Sequence, residues 1–208
     1  IKKISEYQLN GSDVWTYIPK IEIDCFPWDD NGYRPKTEVA MIYTDSFFRI
    51  KFTCYESTIK ADYQCLNDPV WRDSCAEFFL NPSIDNDDRY MNFEMNAIGT
   101  MLLGFGCNRH ERTAPDVNHE IFNIKTTVNK DNLAEYGHEY WSLQYDIPYE
   151  FLQRHFGKVN IESGMVLKGN FYKCGDDTEY PHYGCWNYID YPVPDFHRPE
   201  YFGNLILE

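Results

Sequence analysis

The chain has no apolar run approaching the roughly 20 residues that cross a bilayer, and its opening Ile1-Lys2-Lys3-Ile4-Ser5 has no signal-peptide core. It is also short of positive charge, with 19 Lys and Arg against 33 Asp and Glu, a net charge of -14 and a pI near 4.8. Binding to phosphate backbones needs clustered cations that displace counterions, so nucleic acid and anionic membranes are poor partners. No Cys-x-x-Cys and no Cys/His zinc spacing occurs, which removes the expectation of a structural zinc. There is no Gly-x-Ser-x-Gly elbow and no Cys/His dyad with a supporting motif, so nucleophilic hydrolases lose their usual signature. Internal repeats, linkers and low-complexity tracts are absent too, and residues 1–208 read as a single soluble domain. Its compartment and oligomeric state are left open.

Aromatic residues are abundant, at 17% of the chain, with 17 Tyr and 14 Phe. That exceeds what an ordinary core needs and places some of them at a binding surface. Seven cysteines at irregular spacing form an odd set, which argues against a complete disulfide framework. Cys54 alternates with Phe48, Ile50 and Phe52 and reads as a buried free thiol. Cys174 and Cys185 flank a loop, where a disulfide or a reduced pair fits equally well.

Period-two patterns run over 38–43, 47–55, 75–80, 89–96, 98–105, 121–128, 139–146 and 164–173. Turn clusters such as Asp29-Asp30-Asn31-Gly32 and Asn129-Lys130-Asp131-Asn132 separate them. The expectation is all-β: an antiparallel two-sheet sandwich of jelly-roll or immunoglobulin-like architecture. One short helix is expected over 149–156, after Ile147-Pro148 and before Gly157. In the 89–96 strand, Met91, Phe93 and Met95 share a core face, while Tyr90, Asn92, Glu94 and Asn96 share a face that is either solvated or turned towards a ligand.

The C-terminal third carries an ordered run of aromatics, amides and turn residues: Gly169-Asn170-Phe171-Tyr172-Lys173-Cys174-Gly175, then His182-Tyr183-Gly184-Cys185-Trp186, then Phe196-His197-Arg198-Pro199 through Leu205. A tryptophan among Asn, Lys and His offers a flat apolar face beside hydrogen-bonding groups, which is what a sugar ring requires. With Asp68-Pro69-Val70-Trp71 leading to Glu77, Tyr90 through Gly99, and Trp141 through Pro148, these segments resemble a family 9 carbohydrate-binding module, a β-sandwich group related to DOMON domains and often attached to xylanases.

The resemblance implies non-catalytic binding of a saccharide or polysaccharide held between two tryptophans, serving carbohydrate catabolism alongside glycoside hydrolases. The matching positions are Trp71 and Trp186 as platforms, with Glu77 and an arginine of the 106–112 segment, Arg109 in preference to Arg112, as the main polar contacts and Asn96, Asn170, Lys173 and His182 as secondary ones. Each has a bland counterpart: core packing for the tryptophans, a salt bridge for Glu77, strand-end solvation for Asn96, Asn170 and Lys173. No cofactor is expected beyond a structural calcium at Asp85, Asp87 and Asp88, against which a plain solvated turn competes. Three other functions compete. Glu77 and Glu94 would be the acid/base pair of a glycoside hydrolase acting on O-glycosyl bonds. A DOMON-like haem site would draw on Met91, Met95, Met101, His182 and His197. A degenerate slot would leave a protein-contact domain. His197 itself reads as a structural histidine bonding backbone.

Overall fold

The computed structural model describes residues 1–9, 13–56, 58–82 and 87–208. In chain order its strands begin with β1 (Lys2–Lys3), β2 (Ile21–Glu22), β3 (Thr37–Tyr43), β4 (Phe47–Cys54), β5 (Cys75–Asn81), β6 (Tyr90–Asn96) and β7 (Met101–Gly106). They continue with β8 (Arg112–Thr113), β9 (Lys125–Thr126), β10 (Trp141–Pro148), β11 (Val166–Cys174), β12 (Tyr183–Cys185) and β13 (Gly203–Ile206). One sheet runs β1-β3-β4-β10-β9 with β2 also on β3; the other runs β12-β11-β5-β6-β7-β8 with β13 also on β11. Every pairing is antiparallel except β1 with β3. The chain is a β-sandwich, as its alternation implies.

Alternation also decides what fills the space between the sheets. Val39, Met41, Phe48, Ile50, Phe52, Leu143 and Tyr145 from one sheet meet Phe78, Leu80, Met91, Phe93, Met95 and Phe171 from the other in one buried cluster. Phe78 and Phe171 stack at 4.4 Å between centroids, and burying side chains of this size contributes roughly 2–3 kcal/mol each. Met91, Met95 and Met101 belong to this core, so their thioethers are enclosed by hydrocarbon and unavailable to a haem. Cys54 is a buried free thiol, as expected.

The helix expected over 149–156 forms as α2 (Tyr149–Phe156), after the four-residue α1 (Glu6–Leu9). Gly157 ends it at φ 76°, a conformation that favours a residue without Cβ. The expected strand over 121–128 shortens to the two residues of β9. Asn118 caps a 3-10 turn (His119–Phe122) by accepting the Glu120 N–H, and Asn123 takes a left-handed conformation at φ 46°. That turn drives Phe122 into the core, a burial that outweighs the weak alternation. No helix among the described residues is long and apolar enough to cross a membrane.

Candidate functional site

The outward face of the second sheet is as buried as the inward one at its centre. In β5 and β6 every residue is buried, including Glu77, Asn92, Glu94 and Asn96. Two coverings explain this. Val70 and Trp71, on a 3-10 turn (Val70–Arg72), pack with Tyr63 and Phe196 near Cys75 and Cys174. Ile189, Tyr201 and Phe202 pack over Phe79, Tyr90 and Tyr172.

Between these coverings lies a cleft of about 230 Å³. Its aromatic lining comes from Trp71, Tyr183, Phe196 and His197; its charged lining comes from Glu77, Glu94, Asp176, Asp195, Arg109 and Arg112, with Cys174 beside them. Phe196 is fixed by stacking on Tyr172 at 4.2 Å and 10°. The Arg72 guanidinium lies 4.9 Å from the Trp71 ring, a cation–π contact that restricts the indole.

The floor is a carboxyl pair. Glu77 of β5 stands directly opposite Glu94 of β6. Burial, and then the neighbouring Glu94 charge, hold the Glu77 carboxyl well above the usual carboxylate range. It accepts a hydrogen bond from the Cys174 thiol at 3.1 Å. Burial pushes Glu94 up to about 7, with Arg112 pulling it back. Glu94 accepts from Asn92 Nδ2 at 2.9 Å and faces an Arg112 guanidinium nitrogen at 3.5 Å. The same nitrogen donates to Asn92 Oδ1 at 3.0 Å. Arg109 is half-exposed, 3.7 Å from Asp195. Opposed carboxyls, one guanidinium held by Asn92 and Glu94 and a second paired with Asp195 at the rim give donors and acceptors at defined positions, as hydroxyl recognition needs.

His197 lies within this lining rather than bonding only to backbone. Its Nδ1 is 2.8 Å from the Tyr90 hydroxyl. Burial, then Arg112, lower its pKa to about 2, so the ring is neutral. Arg112, the alternative to Arg109, lines the cleft with it; Asp195 and Phe196 join the site without having been singled out, because the loop closure that brings them to the β5–β6 face has no local signature.

Of the expected residues, Trp71, Glu77 and Arg109 meet at the cleft. Trp186 does not. Cys185 pairs with Tyr172 on the outward face, so alternation sends the next side chain the other way. Its indole packs against Phe171 at 5.9 Å and so close to Gly203 that a Cβ there would come within 2.7 Å of it. The expected Trp71–Trp186 slot is therefore not formed.

The four secondary residues are also taken up by the fold. Asn96 donates to Tyr63 O and Asp73 and accepts from the Thr100 N–H. Asn170 bonds the backbone of Asn187 and Phe171. Lys173 points to the inward side, fully buried, and donates to Glu56 at 3.0 Å and to Cys174 O at 2.9 Å. His182 Nε2 is 2.9 Å from the same ammonium; burial, then Lys173, lower its pKa to about 3.

Of the calcium ligands expected, Asp85 lies outside the described residues, Asp88 is exposed, and Asp87 grips Arg89 through both carboxylate oxygens. Cys174 and Cys185 are not partners: Cys174 opposes Cys75, and Cys185 opposes Cys25.

No curated protein matches the chain. Among solved structures, a putative carbohydrate-binding protein from Bacteroides uniformis shares 27% identity at a TM-score of 0.80, over 100% of this chain and 99% of its own. A family 9 carbohydrate binding module from Caldicellulosiruptor kristjanssonii in complex with glucose has 12% identity and a TM-score of 0.61, covering 95% and 87%. The structure of such a module from that organism in complex with cellotriose matches at 12% and 0.61, covering 100% and 94%. These two similarities speak for the fold. The model of carbohydrate-binding family 9 matches residues 14–207, and the chain belongs to that family.

Proposed function

We propose that the cleft over β5 and β6 binds a saccharide without transforming it. The observation that carries this reading is its mixed lining: aromatic faces from Trp71, Tyr183 and Phe196 interleaved with fixed hydrogen-bonding groups from Glu77, Glu94, Arg109 and Arg112. Sugar C–H groups lie against the rings, which exclude water from one side, while the carboxyls and guanidinium groups exchange hydrogen bonds with hydroxyls. Family 9 module structures from Caldicellulosiruptor kristjanssonii hold glucose and cellotriose, which favours β-glucose chains as the first ligands to test. In this reading Trp71 is a platform and Phe196, stacked on Tyr172, supplies the second aromatic surface that Trp186 does not. Service to carbohydrate breakdown then comes through partner hydrolases.

The experiment is calorimetric titration of the chain with glucose, cellotriose and a glycan panel, repeated with Trp71→Ala and Arg112→Ala. Selective binding that both substitutions weaken at least tenfold, about 1.4 kcal/mol, supports the reading. Binding that is indifferent to both refutes the cleft as the site, and release of reducing sugar from a bound oligosaccharide refutes the non-catalytic role.

A further inference from the structure

Cys75 and Cys174 are direct cross-strand partners between β5 and β11, and Glu77 lies two residues beyond Cys75 on the same face. The two sulfurs and a Glu77 carboxylate oxygen all lie within 4.8 Å of one another, and all three side chains are buried. A tetrahedral cation with bonds of about 2.3 Å to sulfur and 2.0–2.2 Å to oxygen holds its donors roughly 3.3–3.8 Å apart. The present spacing is close to that, with Cys174 Sγ and Glu77 Oε1 already 3.1 Å apart. We propose that Cys75, Glu77 and Cys174 form a thiolate-rich site for a zinc-class divalent cation at the cleft floor, its fourth coordination position open to the cleft.

The donor chemistry selects the ion: two thiolates favour borderline-soft cations and disfavour calcium. The open position follows from geometry, because Glu77 and Cys174 line the cleft. A site with three protein donors and one free position is the arrangement of a metal that touches a ligand rather than one that only holds a fold together. Charge closes as well. Two thiols and one carboxyl release three protons to solvent, leaving three negative charges around a dication, and the net single negative charge lies within the field of Arg112. Without a cation the thiols stay protonated, since burial pushes Cys75 up to about 12, so metal affinity falls steeply as pH drops. A sequence motif could not reveal this set, because Glu77 and Cys174 are 97 residues apart. Given saccharide binding in the cleft, the open position accepts a sugar hydroxyl.

The test titrates Co(II) into the reduced full chain under anaerobic conditions, in a background carrying Cys25→Ser, Cys65→Ser and Cys107→Ser that silences the more exposed thiols. The expected result is one equivalent bound, with a near-ultraviolet thiolate-to-cobalt band and strong visible bands of four-coordinate cobalt, all displaced by Zn(II). Cys174→Ser should weaken the near-ultraviolet band and lower affinity at least tenfold; Glu77→Gln should lower affinity and keep the band. Should those variants fail to fold, the parent chain still decides. Folded, reduced protein that takes up no Co(II), or takes it up without a thiolate band, overturns the proposal, as does a Cys75–Cys174 cross-link in protein purified without reductant. No readout uses a sugar, so failure of the metal site and failure of the saccharide reading are told apart.

Discussion

Lys173 offers a sharp test of how the sandwich is held, because its sequence context suggests a ligand contact and its structure a buried charge. The Lys173→Met substitution removes an ammonium that is fully buried, 3.0 Å from Glu56 and 2.9 Å from both Cys174 O and His182 Nε2. Glu56, itself 6% exposed, would be left with the Trp141 indole N–H and the buried His182 ring at 3.6 Å in place of a full ammonium. Breaking one side of such a buried pair costs about 3–5 kcal/mol. For a chain of this length each kcal/mol moves the melting midpoint by about 2–4 °C, so a fall of roughly 6–20 °C is expected by calorimetry. Glu56→Gln alone should cost a similar amount, and the double variant should cost clearly less than the sum, since removing both charges removes the uncompensated one. Saccharide affinity should be unchanged in all three. A midpoint within about 2 °C of wild type together with lost binding would refute the structural assignment and return Lys173 to the ligand site.

Trp186→Ala should cost on the order of 2–3 kcal/mol of stability through the void left against Phe171 and Gly203, measured by chemical denaturation, and spare saccharide binding. Trp71→Ala should do the reverse, losing at least tenfold in calorimetric affinity with a smaller stability change. Gly104→Ala would set a Cβ 2.5 Å from Asn92 Oδ1, the acceptor for Arg112; displaced Asn92 should cost about 1–3 kcal/mol of stability and weaken binding, read by titration against wild type. His197 is faced by Tyr90, Arg112, Arg109 and His110, and its pKa is lowered from 6.5 to about 2. The unfolded chain therefore takes up a proton below pH 6.5 that the folded chain refuses, and stability falls with pH down to about 2, by up to about 1.4 kcal/mol per unit from this group. Comparing denaturation slopes of wild type and His197→Gln across pH 3–6.5 isolates that effect; equal slopes would contradict it.

Local chemistry wrote most of the fold into the chain. Alternation over 38–43, 47–55, 75–80 and 89–96 fixes which side chains face the core, because period two leaves no other way to bury Phe48, Phe52, Phe78 and Phe93 together. The Ile147-Pro148 entry and Gly157 exit bound the 149–156 helix without tertiary help. Trp71, Glu77 and Arg109, picked out by the family resemblance, do line one cleft, because the 3-10 turn, β5 and the β7–β8 loop that carry them converge there.

The rest depended on pairing between distant segments. Register sets Glu77 against Glu94 and Cys75 against Cys174, and no spacing along the chain encodes a register. Long-range packing also decided the fate of polar side chains that look alike in sequence: Lys173 and Asn170 found buried partners, while Arg112 reached the cleft. Trp186 looked exposed because its loop is polar; the strand phase of Cys185 turned it inward. Sequence determined the two sheets and their faces through alternation that each strand satisfies alone, and tertiary structure decided which residues share the cleft, because that choice is made by hydrogen-bond partners supplied from the other end of the chain.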